Sequence, residues 1–116
     1  MYQYKAKVER VVDGDTVDLV IDLGFKITTH QRIRLAHINT PETYSVKKDS
    51  EEYKKGMASK EFVEKRLAAN NYEVIIETTK LTGKYGRYIG TIRLADSEVS
   101  LNKELVDKGF AVWAVY

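Results

Sequence analysis

The chain contains no cysteine. Disulfide staples, thiolate nucleophiles and cysteine-based metal clusters are therefore excluded. It has one proline, Pro41, and only seven glycines in 116 residues. So sparing a use of both argues against an interdomain linker and predicts one domain over residues 1–116. No window approaches the run of about 20 apolar residues that a membrane-spanning helix needs, so no membrane partner is expected. The start, Met1-Tyr2-Gln3-Tyr4-Lys5, lacks the charged-then-apolar pattern of an export signal. The expectation is a cytoplasmic protein as written, or a secreted one if the sequence is trimmed. Charge of one sign is scarce too: 19 basic and 17 acidic residues leave a net charge of +2. That balance does not by itself mark a nucleic-acid binder, so any phosphate affinity must come from local placement of Lys and Arg.

What is present is a clear hydrophobic pattern. Tyr4, Ala6 and Val8 alternate with Lys5 and Lys7, and Val17, Leu19 and Ile21 alternate with Asp18, Val20 and Asp22. These read as two paired strands around Asp13-Gly14-Asp15. Leu23 and Gly24 allow a bend. Residues 25–30 and 32–38 predict further strand, with Ile33, Leu35 and His37 on one face, ended by Asn39-Thr40-Pro41. From about residue 51 to 70 the period lengthens. Tyr53, Met57, Phe62 and Leu67, with Ala58 and Val63, form a helical stripe, and Asn70-Asn71 offers an exit tolerant of left-handed backbone. A strand over 72–78, a polar loop over 80–86, a strand over 88–94 and a short helix over 101–108 follow, the helix ended by Gly109. Phe110 and Trp113 read as core. Short strands with one long and one short helix make an α+β order, mainly β. A small closed or nearly closed barrel suits it, since closure leaves no strand edges.

Three polar clusters interrupt this pattern. Val12-Asp13-Gly14-Asp15-Thr16-Val17 is either a plain Asp-Gly hairpin turn or an oxygen-rich site for a hard cation. It is not an EF-hand, because Val17 and Asp18 stand where an oxygen ligand and a glycine are required. Arg32-Ile33-Arg34-Leu35, followed by Asn39-Thr40-Pro41-Glu42-Thr43, is either a solvated strand face and loop, or a guanidinium for a phosphate beside a carboxylate that takes a proton from water. Lys80-Leu81-Thr82-Gly83-Lys84-Tyr85-Gly86-Arg87-Tyr88 is either a solvated loop or a set of cations and rings that meet phosphate and base. It lacks the GK[ST] order of a P-loop. His30, expected near a turn, and His37, expected half-buried in a strand, form no zinc-spaced pair.

In their order and spacing the three clusters resemble the staphylococcal nuclease (thermonuclease) family. Gly109-Phe110-Ala111 resembles its late segment, so nearly the whole chain is covered. The resemblance implies a five-stranded OB-fold barrel with one long and one short helix. It implies a calcium-dependent endonuclease acting on DNA and RNA, single strands preferred, that leaves 3′-phosphate ends and works as a monomer. Matched residue by residue, Asp15 would bind calcium, Thr40 would offer its carbonyl, and Asp13 would sit close by through water. Arg34 and Arg87 match the arginines that contact the scissile phosphate. Glu42 matches the carboxylate that orients or deprotonates the attacking water, and Lys84 and Tyr85 match contacts to a terminal phosphate. Asn39 stands where a second calcium-binding Asp is common, which implies a weaker site. The sequence stops at Tyr116, where the family's C-terminal helix would follow, so that helix is expected to be missing. The alternative is a non-catalytic OB-fold module that holds nucleic acid or protein.

Overall fold

The structure, a computed structural model, describes residues 2–43, 46–82 and 88–114, the side chains of 79–82 excepted. The first alternating segment is longer than its apolar pattern, running as β1 from Tyr2 to Asp13. Two register shifts, between Val8 and Arg10 and between Val11 and Asp13, let it bend while burying both Val11 and Val12. Gly14-Asp15 turns it into β2 (Thr16–Asp22), which buries Val17, Leu19 and Ile21 as the alternation requires. β3 (Thr28–Leu35) follows, then β4 (Ile38–Asn39), α1 (Glu51–Ala69), β5 (Glu73–Thr82), β6 (Tyr88–Arg93), α2 (Leu101–Asp107) and β7 (Val112–Trp113).

Five strands close a barrel in the order β1-β2-β3-β6-β5, with β5 returning to β1. All its pairings are antiparallel except β3 with β6, where Ile33 faces Tyr88 and Leu35 faces Gly90. This is the expected mainly β, α+β OB-fold barrel. Its interior is Val17, Leu19, Ile33, Leu35, Ile76 and Ile92, sealed by Val63 and Leu67 of α1 and by Leu101 and Leu105 of α2. Each fully buried aliphatic side chain contributes about 1.5–3 kcal/mol.

Both helices start on a serine cap: Ser50 Oγ accepts from Tyr53 N, and Ser100 Oγ from Lys103 N, each at 3.1 Å. α2 ends as Gly109 foretold. Gly109 lies at φ +82°, its N–H bonds to Val106 O at 3.1 Å, and Phe110 N bonds to Leu105 O at 2.8 Å. The exit of α1 likewise uses the left-handed region, at Asn71 and Tyr72.

The structure corrects several local expectations. Residues 25–27 are not strand. Gly24, Phe25 and Lys26 all have positive φ and form the β2–β3 turn. His30 lies inside β3 rather than near a turn, 2.9 Å from Glu9. His37 is exposed with φ 63°, in the tight turn between β3 and β4, so it shares no face with Ile33. The strand expected to end at residue 78 continues to Thr82 as β5, because it pairs with β6. The buried face of α1 is Gly56, Ser59, Val63 and Leu67; Val63 and Leu67 belong to the expected stripe, whereas Tyr53, Met57 and Phe62 are only half-buried and Ala58 is exposed. Gly56 and Ser59 are small because loops pack closely there, and an apolar count does not register that. Trp113 is 59% exposed, not core, while Phe110 is half-buried and stacks on Phe62 at 4.8 Å.

Candidate functional site

One corner of the barrel gathers the polar clusters. The β1–β2 turn supplies Asp13 and Asp15, the end of β3 supplies Arg34, and β4 with the following loop supplies Asn39, Thr40 and Glu42. Backbone bonds set this convergence: Leu35 N donates to Asp15 O at 2.8 Å. β4 is pinned by β7, with Asn39 opposite Val112, and by Ala114 N donating to His37 O at 2.7 Å.

Asp15 is the hub. Its Oδ1 accepts from Thr16 Oγ1 at 3.0 Å and its Oδ2 from Thr40 N at 3.1 Å. Arg34 Nη1 lies 2.9 Å from Asp15 Oδ2, with the two side chains only 11% and 12% exposed. Arg34 Nη2 also donates to Asn39 Oδ1. One guanidinium thus bridges the acid and the amide. Asp13 sits beside this hub, its Oδ1 accepting from Thr43 Oγ1 at 2.8 Å. Burial pushes the Asp13 carboxyl above its ordinary value; the Thr43 bond pulls it down, Asp15 pushes it up, Lys60 pulls it down and Glu42 pushes it up. Asp13 therefore feels the charges of Asp15, Glu42 and the half-buried Lys60. Glu42 itself is exposed, at the rim.

Two glycines make the corner possible. A Cβ on Gly14 would lie 2.8 Å from Ser59 Cβ and 3.0 Å from Thr40 Cγ2. Gly14 has no positive φ, so its role is close approach between the turn, the Thr40 loop and α1. A Cβ on Gly56 would lie 2.6 Å from Pro41 O and 3.0 Å from Glu42 O. The mid-helix glycine thus presses α1 onto the backbone that carries Glu42. Ser59 adds a tie, its Oγ donating to Phe110 O at 2.7 Å. Beside these elements lies a cleft of about 510 Å³, lined by Asn39, Thr40 and Pro41 on one side and Phe110 to Val112 on the other.

The structure thus joins Asp15, Arg34, Asn39 and Thr40 directly and sets Asp13 and Glu42 at their edge. Lys84, Tyr85 and Arg87 lie outside the described residues; β6 begins just after them, with Tyr88 beside Ile33 and Ile89 beside Arg34. Sequence reasoning missed Thr16 and Thr43, the hydroxyls on the two acids, and the packing roles of Gly14, Gly56 and Ser59. A signal was available for Gly56, since a glycine inside a helix costs about 1 kcal/mol and calls for a packing reason.

The corner's donors suit a hard cation in kind: a carboxylate, an amide oxygen and a backbone carbonyl are all oxygens. Thr40 Oγ1 is buried and has no hydrogen-bond partner among the described residues, leaving a further oxygen without a role of its own. Charge is the weaker part of the fit. Among the described residues no three acidic or histidine side chains form a metal-holding group, and Arg34 already engages both Asp15 and Asn39.

Residues 32–116 match the family model described as Staphylococcal nuclease homologue. The chain is 35% identical over 105 residues to the Thermonuclease of Staphylococcus intermedius, covering 90% of this chain and 56% of that protein. It is 28% identical over 120 residues to Endonuclease YhcR of Bacillus subtilis (strain 168), covering 97% of this chain and 9% of that one. It is 29% identical over 125 residues to a protein of Methanocaldococcus jannaschii, MJ1439, covering 93% and 58%. The chain therefore spans less than three fifths of the length of each of these relatives.

Proposed function

The chain belongs to the staphylococcal nuclease family, and from that premise we propose that it is a calcium-dependent nuclease. In this reading residues 1–116 form one nuclease domain that hydrolyses phosphodiester bonds of DNA and RNA, single strands preferred, to 3′-phosphate and 5′-hydroxyl ends, acting as a monomer. The observation that carries the reading is the Asp15–Arg34–Asn39 bridge, a guanidinium held at the mouth of an oxygen-lined corner. The relatives named Thermonuclease and Endonuclease YhcR support it.

The roles follow from the charges. A phosphodiester anion repels an incoming hydroxide, so its charge must be offset by groups already in place. Arg34 does this by exchanging Asn39 and Asp15 for two phosphate oxygens, a bidentate contact its planar fork suits. Arg87 takes the second position on the phosphate, and Lys84 and Tyr85 hold a neighbouring one. Glu42, exposed at the rim, accepts a proton from the attacking water as the water oxygen bonds to phosphorus and the bond to the 5′ oxygen breaks, the leaving oxygen taking a proton from solvent to become the 5′-hydroxyl. Thr43 on Asp13 and the Gly56 contact hold the Glu42 backbone for that task. Asp15, Asn39 and the Thr40 carbonyl would hold Ca²⁺, with Asp13 reached through water. When bound, the ion supplies positive charge to the phosphate and acidity to water. Among the described residues no helix is long and apolar enough to cross a membrane.

The decisive test is hydrolysis of single-stranded DNA with millimolar Ca²⁺ and with chelator, with end-group analysis of the products. Cleavage only with Ca²⁺ and 3′-phosphate ends are expected. Glu42→Gln should lower kcat by about 10²–10⁴-fold while affinity for the strand holds. A second reading, a binding module that does not cut, is favoured by Asn39, which brings no charge where an acid would. It prevails if the wild type is silent with Ca²⁺ and Asn39→Asp turns cleavage on.

A further inference from the structure

A second surface lies at the opposite end of β2 from Asp15, roughly 20 Å along the strand. The β2–β3 turn there breaks two ordinary rules at once. Phe25 is 96% exposed, flanked by exposed Leu23 and Ile27. Phe25 and Lys26 also adopt φ of 55° and 63°, a region that side chains other than Gly, Asn and Asp avoid. The turn is nevertheless well tied: Leu23 N bonds to Ile27 O, Ile27 N to Gly24 O, and Gly24 N to the Asp22 carboxylate. A bulky ring is thus held in a disfavoured conformation so as to point into solvent. The tight hairpin turn requires positive φ at both central positions, but neither it nor burial accounts for an aromatic ring there.

At the base of this hairpin, between Asp22 and Thr28 on one side and β5 and β6 on the other, runs a groove of about 590 Å³. Its floor is apolar, including Val20, Val74 and Leu94, and its lining carries Lys5, Lys7 and Arg93. Lys5, Lys7 and the turn's Lys26 are exposed and, among the described residues, have no carboxylate partner. Of the acids nearby, Asp22 is engaged by the turn, and Glu77 holds Arg93, leaving Glu73. An apolar floor with Lys5 and Lys7 in its lining, and an exposed aromatic ring and Lys26 on the hairpin turn that rises from its edge, match the chemistry of single-stranded nucleic acid, with bases on apolar surface and phosphates on lysines.

We infer that this groove and the Phe25 hairpin form a second, non-catalytic binding site for single-stranded nucleic acid, which grips a strand some distance from the cleaved bond. The inference rests on the nuclease reading for its biological sense but not for its test. Phe25 stacks on a base, and Lys5, Lys7 and Lys26 meet phosphates. Strands long enough to reach both the groove and the Asp15 corner gain affinity that short ones lack, because the second contact is made within one bound molecule.

The test uses the full chain in chelator, so that nothing is cut. Fluorescence anisotropy follows labelled oligothymidylates of about 4 and about 20 nucleotides, lengths set by the usual OB-fold site size. Phe25→Asn is the first variant, because asparagine tolerates the left-handed region and should leave the fold intact, checked by thermal melting. It should weaken the longer strand about five- to tenfold and leave the shorter one unchanged. Lys5→Ala with Lys7→Ala should lower the slope of log affinity against log salt by about 0.7 per lysine for the longer strand only. Unchanged long-strand affinity in all variants overturns the site. So does loss of binding to phosphatidylserine vesicles, or of a sedimenting dimer, while strand binding stays as in the wild type; the hairpin then serves a membrane or a second copy. Variants that lose the long strand although the wild type never cleaves with Ca²⁺ keep this site and sink the nuclease reading. Cleavage by the wild type with no effect of the variants does the reverse.

Discussion

The two ends of β2 solve opposite problems. At the Asp15 end polar groups are drawn inward: a carboxylate and a guanidinium nearly out of solvent, a backbone N–H and two threonine hydroxyls on the acids, and two glycines removing the last atoms that would keep the chains apart. At the Phe25 end apolar groups are pushed outward, on a turn whose backbone is disfavoured for the residues it carries. The first end has little room for change, because each group completes another's valence. At the second the turn backbone is tied, but the Phe25 side chain is almost wholly in solvent. The lesson is that strain without an internal beneficiary points outward, toward a ligand, whereas tight packing around polar groups points to a site that must keep its shape.

Substitutions should therefore act in opposite senses at the two ends. The largest effect is expected for Arg34→Ala. It strands the Asp15 carboxylate and should cost about 2–3 kcal/mol in urea unfolding, somewhat below the figure for fully buried pairs. It should also lower phosphodiester turnover by about 10²–10³-fold. Added Ca²⁺ should then raise the melting temperature of the variant more than that of the wild type, since the ion no longer competes with the guanidinium. An equal rise in both would mean that Arg34 and the cation site are independent.

Gly56→Ala comes next. In an ordinary helix interior it would stabilise by about 1 kcal/mol. Here the added Cβ meets the Pro41 carbonyl at 2.6 Å, backbone that cannot swing away. A loss of about 1–3 kcal/mol on chemical denaturation is expected. A gain would show that the Pro41–Thr43 loop yields and that the corner is less tightly built than described.

At the other end the sign should reverse. Phe25→Asn should raise stability by about 0.5–1 kcal/mol, as the left-handed strain is relieved and no internal contact is lost. A clear loss would mean that Phe25 supports the fold, and the contrast between the two ends would fail.

The smallest effect belongs to a pair at neither end. Arg66 of α1 donates to Asp96 at 2.7 and 2.8 Å and reaches Glu104 of α2. The Arg66 bond holds the Asp96 carboxyl down to about 2. A depressed acid stabilises above its unfolded value near 4, and that contribution is lost as pH falls through about 2. The pair is solvated, so Asp96→Asn should lower the melting temperature only slightly at neutral pH. The gap to the wild type should close between about pH 4 and pH 2. A gap that persists at pH 2 would make the effect steric.

Much of the barrel was legible in the sequence because period-two burial is a local signal. Val17, Leu19 and Ile21 fell on the inner face as their alternation demanded, and Gly109 ended α2 through its own backbone freedom. Misreadings came where distant chain decides. Apolar spacing placed Val63 and Leu67 on the buried face of α1 but not Gly56 and Ser59, which are small to admit the Pro41 loop and the Gly14 turn. Trp113 looked like core by composition, yet in β7 it pairs with Ile38 at a sheet edge and stays mostly in solvent.

The candidate site divides in the same way. The residue types in order, Asp13 and Asp15, Arg34, then Asn39-Thr40-Pro41-Glu42, were determined by the sequence alone, and with them the resemblance to a nuclease family. Chemistry of that kind resides in side-chain identity, which needs no coordinates. That Arg34 turns onto Asp15 and Asn39, that Thr43 bonds to Asp13, and that Phe25 stands in solvent on the hairpin next to a groove carrying Lys5 and Lys7 were decided only by the tertiary structure. Those relations join residues far apart in the chain, and only closure of the barrel brings them within reach.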